Sequence, residues 1–347
     1  MLKKISLFLL VIAVGAVPAI SQAQVSTTTR DIDPSNLVWK QVANIPWGER
    51  DSHIVFEFKD KLWLMGGLNA NGAKEGGLYP NYEKAIYYND IWSSVDGETW
   101  ILEKEHVGFS PRRSMSVIEV NGILFMMGGW NQETRATNDI WRSEDAVNWV
   151  RVVEHAPWPA REGQIIRKFH DKYWLIGGVN YDKQITYNDV WSSVDGLNWK
   201  MEARYNPWVP RWDHDVAVHN DALWLSSGMN FGGVGYQDEW MSRDGVHWTR
   251  VYMNAPWGER QGVCSTVFGN KLWLVGGLTS LTNEGVGDAW YSDDGVKWNK
   301  TKNDGMWLGR EDHDVVAFKD KLWVLGGMTS DWKWNNDVWY SEFGMKN

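Results

Sequence analysis

Apolar positions along the chain fall in runs of about five residues, and no helical periodicity of useful length is present. Runs such as Lys61-Leu62-Trp63-Leu64-Met65 end in a glycine doublet: Gly66-Gly67, Gly128-Gly129, Gly177-Gly178, Gly276-Gly277 and Gly326-Gly327, with Ser227-Gly228 as a variant. The second members of successive doublets lie 62, 49, 50, 49 and 50 residues apart, so the pattern is an internal repeat. Three further signatures keep the same phase. Pro46-Trp47-Gly48-Glu49-Arg50 and its copies precede the doublet, and Asn89-Asp90-Ile91-Trp92 and its copies follow a variable loop after it. Ser94-Val95-Asp96-Gly97-Glu98-Thr99-Trp100 then sets an Asp-Gly turn between two short apolar strands.

Four short strands per unit of about 50 residues predict an all-β chain. The expected architecture is a six-bladed β-propeller of four-stranded antiparallel blades at about 46–104, 109–153, 157–203, 207–252, 256–301 and 306–343. The sixth unit stops at Ser341-Glu342-Phe343-Gly344, before the strand that begins with Trp in other units. Residues 37–42 lack the upstream parts of a unit but lead into Pro46-Trp47, so this N-terminal strand is expected to join the last blade, which removes two exposed sheet edges.

The units resemble kelch repeats. Arg50 to His53, Gly66-Gly67 and Trp100 match that family's Arg-x-x-His, Gly-Gly and Trp landmarks, and the resemblance covers nearly all of residues 37–347. It departs at Met115, Gln164 and Val263, which stand where the His would be, and at Ser227. The resemblance implies a module that mostly binds, although exported six-bladed kelch proteins similar to this chain include sialic acid mutarotases. It also extends to the propeller of galactose oxidases, whose copper ligands depend on a further domain not expected here, so neither cofactor nor metal is expected. The segment Ser94 to Trp100 is similar to the Asp-box of sialidases but one residue shorter. That box is a folding element and transfers no catalysis.

Lys3 and Lys4 before the apolar run from Ile5 to Ile20, with Ser21-Gln22-Ala23 after it, read as a signal peptide over 1–23, followed by a linker over 24–36. An exported chain, periplasmic or extracellular, with no membrane span is therefore expected, and the single Cys264 excludes an intramolecular disulfide. The net charge is −9, and −11 without Lys3 and Lys4, which excludes nucleic acid as a partner on electrostatic grounds. A monomer is expected.

Of the 26 tryptophans, 22 recur in register and belong to packing. Trp130, Trp212, Trp332 and Trp334 do not recur; they fall in loops of one face, with Tyr79, Tyr82, Tyr181, Phe231 and Tyr236 nearby. These aromatics are candidates for stacking against a sugar or for plugging the mouth of the ring. Arg50, Arg112, Arg161, Arg211, Arg260 and Arg310 form a recurring set that either bridges adjacent blades or clamps an anion such as the carboxylate of an acidic sugar. His53, His214 and His313, three residues after their Arg, are candidate acid–base groups, with Glu49, Glu162 or Glu311 as partners. An insertion in the first unit places 69–88 over the same face as a candidate lid. Two functions follow: a module binding a glycan or a protein through the loop-rich face, or a carbohydrate-active enzyme on acidic sugars (mutarotase/epimerase, lyase or hydrolase).

Overall fold

The computed structural model describes residues 32–71, 81–302 and 307–345. The signal peptide, most of the expected linker and Tyr79 lie outside these residues. The fold is an all-β propeller whose described residues form six four-stranded antiparallel sheets, named here sheets 1 to 6 in chain order. Sheet 1 runs Ile54–Phe58, Lys61–Met65, Ile91–Ser94 and Ile101–Lys104, each strand hydrogen-bonded to the next. Sheets 2 to 5 repeat this order.

The second strand of each unit is buried on both sides, as in Leu62, Trp63, Leu64 and Met65, because each sheet is covered face to face by its neighbours. That is why these strands read as apolar runs rather than as alternating patterns. The packed cores accordingly lie between sheets. One joins Phe125 and Met127 of sheet 2 to Ile166 and Leu175 of sheet 3, and another joins Leu62 and Leu64 of sheet 1 to Trp323 and Leu325 of sheet 6.

Sheet 6 draws on both ends of the chain. Ile32–Gln41 pairs antiparallel with Val338–Met345, from Ile32 opposite Met345 to Gln41 opposite Trp339, with a bulge between Asp33 and Leu37. The strand therefore starts earlier than the pattern of apolar residues indicates, and the bulge explains why, since it breaks the alternation. Trp39 packs edge-on against Trp307 at 6.3 Å, the arrangement that Trp100 makes with Trp47 at 6.2 Å inside the first unit.

The glycine doublets turn each chain segment back over the rim. Gly66 and Gly67 have φ of 69° and 94°, and a Cβ on Gly67 would lie 2.5 Å from the Asp51 carbonyl, so only glycine lets Leu68 bridge to Asp51. The equivalent bridges are Arg113 to Trp130, Glu162 to Val179, Trp212 to Met229 and Gln261 to Leu278, while Arg310–Glu311 pairs with Met328–Thr329. Each fixes the residue that follows a recurring Arg.

Candidate functional site

The six recurring arginines are buried and paired inside their own units. Arg50 is 0% exposed; its Nη1 and Nη2 donate to Asp90 Oδ1 and Oδ2 at 2.7 and 2.8 Å, and Nη1 also donates to the Gly66 carbonyl at 3.0 Å. Arg112–Asp139, Arg161–Asp189, Arg211–Asp238, Arg260–Asp288 and Arg310–Asp337 repeat the pair. Each aspartate also accepts the indole N–H of the Trp two residues later, as from Trp92 at 2.8 Å. Expectations of a bridge between blades or of an anion clamp are therefore corrected: a guanidinium spent on a carboxylate and a carbonyl in a dry interior staples the two halves of one unit.

The three histidines are buried as well. His53, His214 and His313 are 7%, 2% and 4% exposed, and the polar neighbour of each ring is a backbone carbonyl, that of Leu325, Ile176 and Val275 respectively. Each ring fills the place where a Cβ would stand on the first glycine of the preceding unit's doublet: His53 at Gly326, His214 at Gly177 and His313 at Gly276. Met115 at Gly66 and Gln164 at Gly128 fill the same socket. Burial holds all three imidazoles neutral, their pKa lowered to about 3, with the Arg three residues earlier adding to the effect. Inter-sheet packing thus replaces the expected acid–base role.

The non-recurring aromatics divide into two groups. Trp130, 5% exposed, and Trp334, 0% exposed, pack with Leu68, Ala85, Tyr87 and Met328, with Tyr82 and Trp332 half-buried against them. These four candidates make a loop core over units 1, 2 and 6 instead of an open stacking surface. Part of the first unit's insertion, the turn Tyr82–Lys84 and the strand Ile86–Tyr87, is anchored in that core. Trp212 is different. It is half-buried, 4.8 Å from Phe231 and 6.5 Å from Tyr181, and the latter two are 40% and 53% exposed. Together they form an open aromatic shelf beside the axis. Tyr236 instead stacks on Arg211 at 4.5 Å, as Tyr88 does on Arg50 and Tyr187 on Arg161 at 3.9 Å, so it belongs to the repeat.

At the axis, the second residues after the arginines (Ser52, Ser114, Gly163, Asp213, Gly262 and Asp312) all have φ between 49° and 62°. Their backbones link head to tail: Ser114 N–H to Ser52, Ser52 N–H to Asp312, Asp312 N–H to Gly262, Gly262 N–H to Asp213, and Gly163 N–H to Ser114. These five bonds run from unit to unit, and next to them in each unit stands the first residue after the Arg: Asp51, Arg113, Glu162, Trp212, Gln261 and Glu311, a neighbourhood called here the axial recess. Unlike the arginines, these six differ in charge and size from unit to unit.

Carboxyls dominate the recess. Arg113 Nε donates to Glu162 Oε2 at 2.8 Å and Nη2 to Oε1 at 3.2 Å, and its guanidinium lies 5.3 Å from the Tyr82 ring and 5.2 Å from the Trp130 ring. Gln261 Nε2 donates to Glu311 Oε2 at 2.8 Å, and Ser52 Oγ to Asp312 Oδ2 at 3.2 Å. Burial pushes the carboxyls of Asp51, Asp213 and Glu311 well above their usual range, and repulsion from Asp312 raises each further. Burial also raises Asp312 and Glu162 against the opposing pull of Arg113. Glu162 and Glu311 were legible as charged candidates; Asp51, Arg113 and Gln261 were not, though their failure to recur beside a recurring Arg was the available signal. Among the described residues no group of three or more His, Cys, Asp or Glu is arranged to hold a metal ion.

The fold and this recess define a β-propeller with a carboxyl-rich axial mouth. Among solved structures matching the fold, that of YjhT superposes with a TM-score of 0.66 over 86% of this chain and 95% of its own, at 16% sequence identity. A likeness at that identity establishes the propeller fold. No protein-family profile and no curated protein matches the chain.

Proposed function

We propose that the chain is an exported, closed six-bladed propeller of kelch type that binds a glycan at the axial mouth of its loop-bearing face. Closure is supported by the pairing of Ile32–Gln41 with Val338–Met345 and by the Ser52 N–H to Asp312 bond, which joins the first unit to the last. The kelch assignment rests on the Arg, Gly-Gly and Trp landmarks, and export on the residues from Lys3 to Ala23.

The observation that carries the binding reading is Trp212. It sits between the buried Arg211 and the half-buried carboxyl Asp213, so the aromatic shelf and the polar recess share a border. A pyranose offers a flat C–H face to an aromatic ring and hydroxyl donors to carboxyl and amide oxygens, which is the combination present here. With the six repeat arginines spent inside the units, the mouth favours a neutral or cationic ligand over an acidic one.

The alternative, a carbohydrate-active enzyme, draws on one feature: Glu311 and Asp312 repel each other, an arrangement that separates a protonated from an ionised carboxyl. Any acid–base pair would then come from the recess instead of from His53, His214 or His313.

A thermal-shift screen of the full chain against neutral and acidic oligosaccharides tests the reading, followed by NMR of any hit for anomer exchange or cleavage. Stabilisation by a neutral oligosaccharide that is lost in Trp212→Ala is the expected result. No stabilisation by any glycan overturns it, and turnover of a bound sugar selects the enzyme.

A further inference from the structure

We propose that the axial mouth is a subsite for the ammonium group of an amino sugar, an inference that rests on the glycan-binding reading above. Five carboxyl side chains from four units (Asp51, Glu162, Asp213, Glu311 and Asp312) face one guanidinium, that of Arg113. One edge of that guanidinium, its Nε and Nη2 donors, is committed to Glu162, and the other four carboxyls have no dedicated cation. Asp182, which meets the Trp130 indole at 2.9 Å, adds a further negative charge within reach of Glu162. Tyr82 and Tyr87, whose hydroxyls burial holds protonated, contribute none.

The unpartnered atoms state what is missing. Asp51 is 3% exposed and its Oδ1 has no hydrogen-bond partner; Gln261 Oε1 has none either, because its amide nitrogen is turned to Glu311. Both are acceptors in want of a donor. An ammonium group brings three donors, no acceptor and one positive charge, and is compact enough to enter between carboxyls. The indole N–H of Trp334, a side chain 0% exposed, is directed at the Asp51 carboxyl and supplies one neutral donor to it. The Trp212, Tyr181 and Phe231 shelf next to Asp213 offers a face for a sugar ring, which favours an amino sugar over a simple diamine.

Position agrees with this chemistry. Asp213 and Asp312 are half-buried while Asp51 and Glu311 are buried, so the first two are the carboxyls open to an arriving cation. Trp212 precedes Asp213 in the chain, which sets the Trp212, Tyr181 and Phe231 shelf where the ring of the same sugar or of its neighbour would lie. Burial first, and neighbouring carboxyls second, raise the pKa values of Asp51, Asp213 and Glu311; an ammonium entering the recess lowers them again, so any proton they hold is released to the buffer on binding.

The test compares glucosamine tetrasaccharide with N-acetylglucosamine tetrasaccharide by titration calorimetry on the full chain, at pH 7 and low salt, in two buffers of different ionisation enthalpy. The expected result is a preference of roughly ten- to hundredfold for the free amine, the span of a hydrogen bond to a charged group, together with proton release. Asp213→Asn, monitored by its melting temperature, should reduce that preference to about threefold or less. Equal binding of the two sugars, an unchanged preference in Asp213→Asn, or a lysine-rich peptide of equal charge binding as tightly would overturn the ammonium subsite and leave the glycan reading standing. Binding of neither sugar would overturn both.

Discussion

Arg113 and Glu162 come from adjacent units and meet side-on, Nε 2.8 Å from Oε2 and Nη2 3.2 Å from Oε1, in a recess that also holds Asp51, Asp213, Glu311 and Asp312. The side chains are only 16% and 5% exposed, so neither charge is well solvated. Arg113→Gln leaves Glu162 buried among like groups and should cost about 3 kcal/mol at pH 7. The carboxyls near Arg113 already have raised pKa values and rise further without it, so they take up protons as pH falls and the penalty should shrink with it. Adding Glu162→Gln should recover at least half of the loss. Urea unfolding of the three variants at pH 7 and pH 5 checks this; a cost independent of pH would show that Arg113 acts by packing alone.

The buried histidines predict the opposite direction for the whole molecule. His53, His214 and His313 stay neutral to about pH 3 when folded, whereas an unfolded chain protonates them near the ordinary value of about 6.5. The unfolded state therefore binds more protons between those limits, and stability falls as pH is lowered through 6.5 toward 3, each ring contributing about 1.4 kcal/mol per pH unit. Met115 and Gln164 occupy the same socket in other units. Replacing the three histidines by methionine or glutamine should therefore cost little at pH 7 and flatten the fall in stability between pH 6.5 and 4. A variant as acid-sensitive as the parent would refute the assignment.

Glu239 occupies a position filled by Ile91, Ile140, Val190, Ala289 and Val338 in the other units. It is 0% exposed, its Oε1 has no partner, and burial pushes its carboxyl well above the usual range. A raised pKa means that the folded chain holds the proton longer than the unfolded one, so this group costs stability as pH rises above about 4.3. Glu239→Val should stabilise by about 1–3 kcal/mol at pH 8, with the gain fading toward pH 5. Trp298 Nε1, 3.3 Å from Glu239 Oε2, keeps the Gly295 carbonyl at 3.2 Å in the variant. Melting temperatures across that pH range decide it: no gain at pH 8 would mean that the carboxyl is better compensated than its surroundings indicate.

These relationships mark where sequence reading succeeds and where it stops. The strands and the turns were legible because each repeats with the unit, and repetition averages out local noise. The Arg50–Asp90 pair was legible in principle, since both residues recur six times in constant phase, but spacing alone does not say that two recurring groups face each other inside one unit. Trp130 and Trp334 misled for a different reason. A residue that fails to recur may still be buried, because long loops build cores of their own, and only the three-dimensional course of 81–88 shows that they do so here. Asp51, Arg113 and Gln261 were hidden by standing next to the strongest repeat signal in the chain.

Ser227 is the one place where a doublet lacks its first glycine, and the residue that register sets against it, Val263, is the smallest occupant of the histidine socket. In the other units a Cβ on that glycine would come within 1.9 to 2.7 Å of the facing Met, Gln or His side chain. The two departures from the repeat therefore compensate: a short valine leaves room for the serine, whose hydroxyl takes the indole N–H of Trp257 at 3.3 Å. The equivalent indoles of Trp47, Trp158, Trp208 and Trp307 have no such partner. Restoring the histidine alone, Val263→His, should overpack the socket and cost about 2 kcal/mol. Ser227→Gly alone removes a hydrogen bond but relaxes a φ of 64°, so its effect should stay within about 1 kcal/mol. The double substitution rebuilds the arrangement of the other units and should recover most of the loss, giving a coupling of at least about 1 kcal/mol in a double-mutant cycle. Simple additivity of the two costs would show that the socket and the doublet are independent, and the inter-sheet contact assigned to His53, His214 and His313 would have to be abandoned with it.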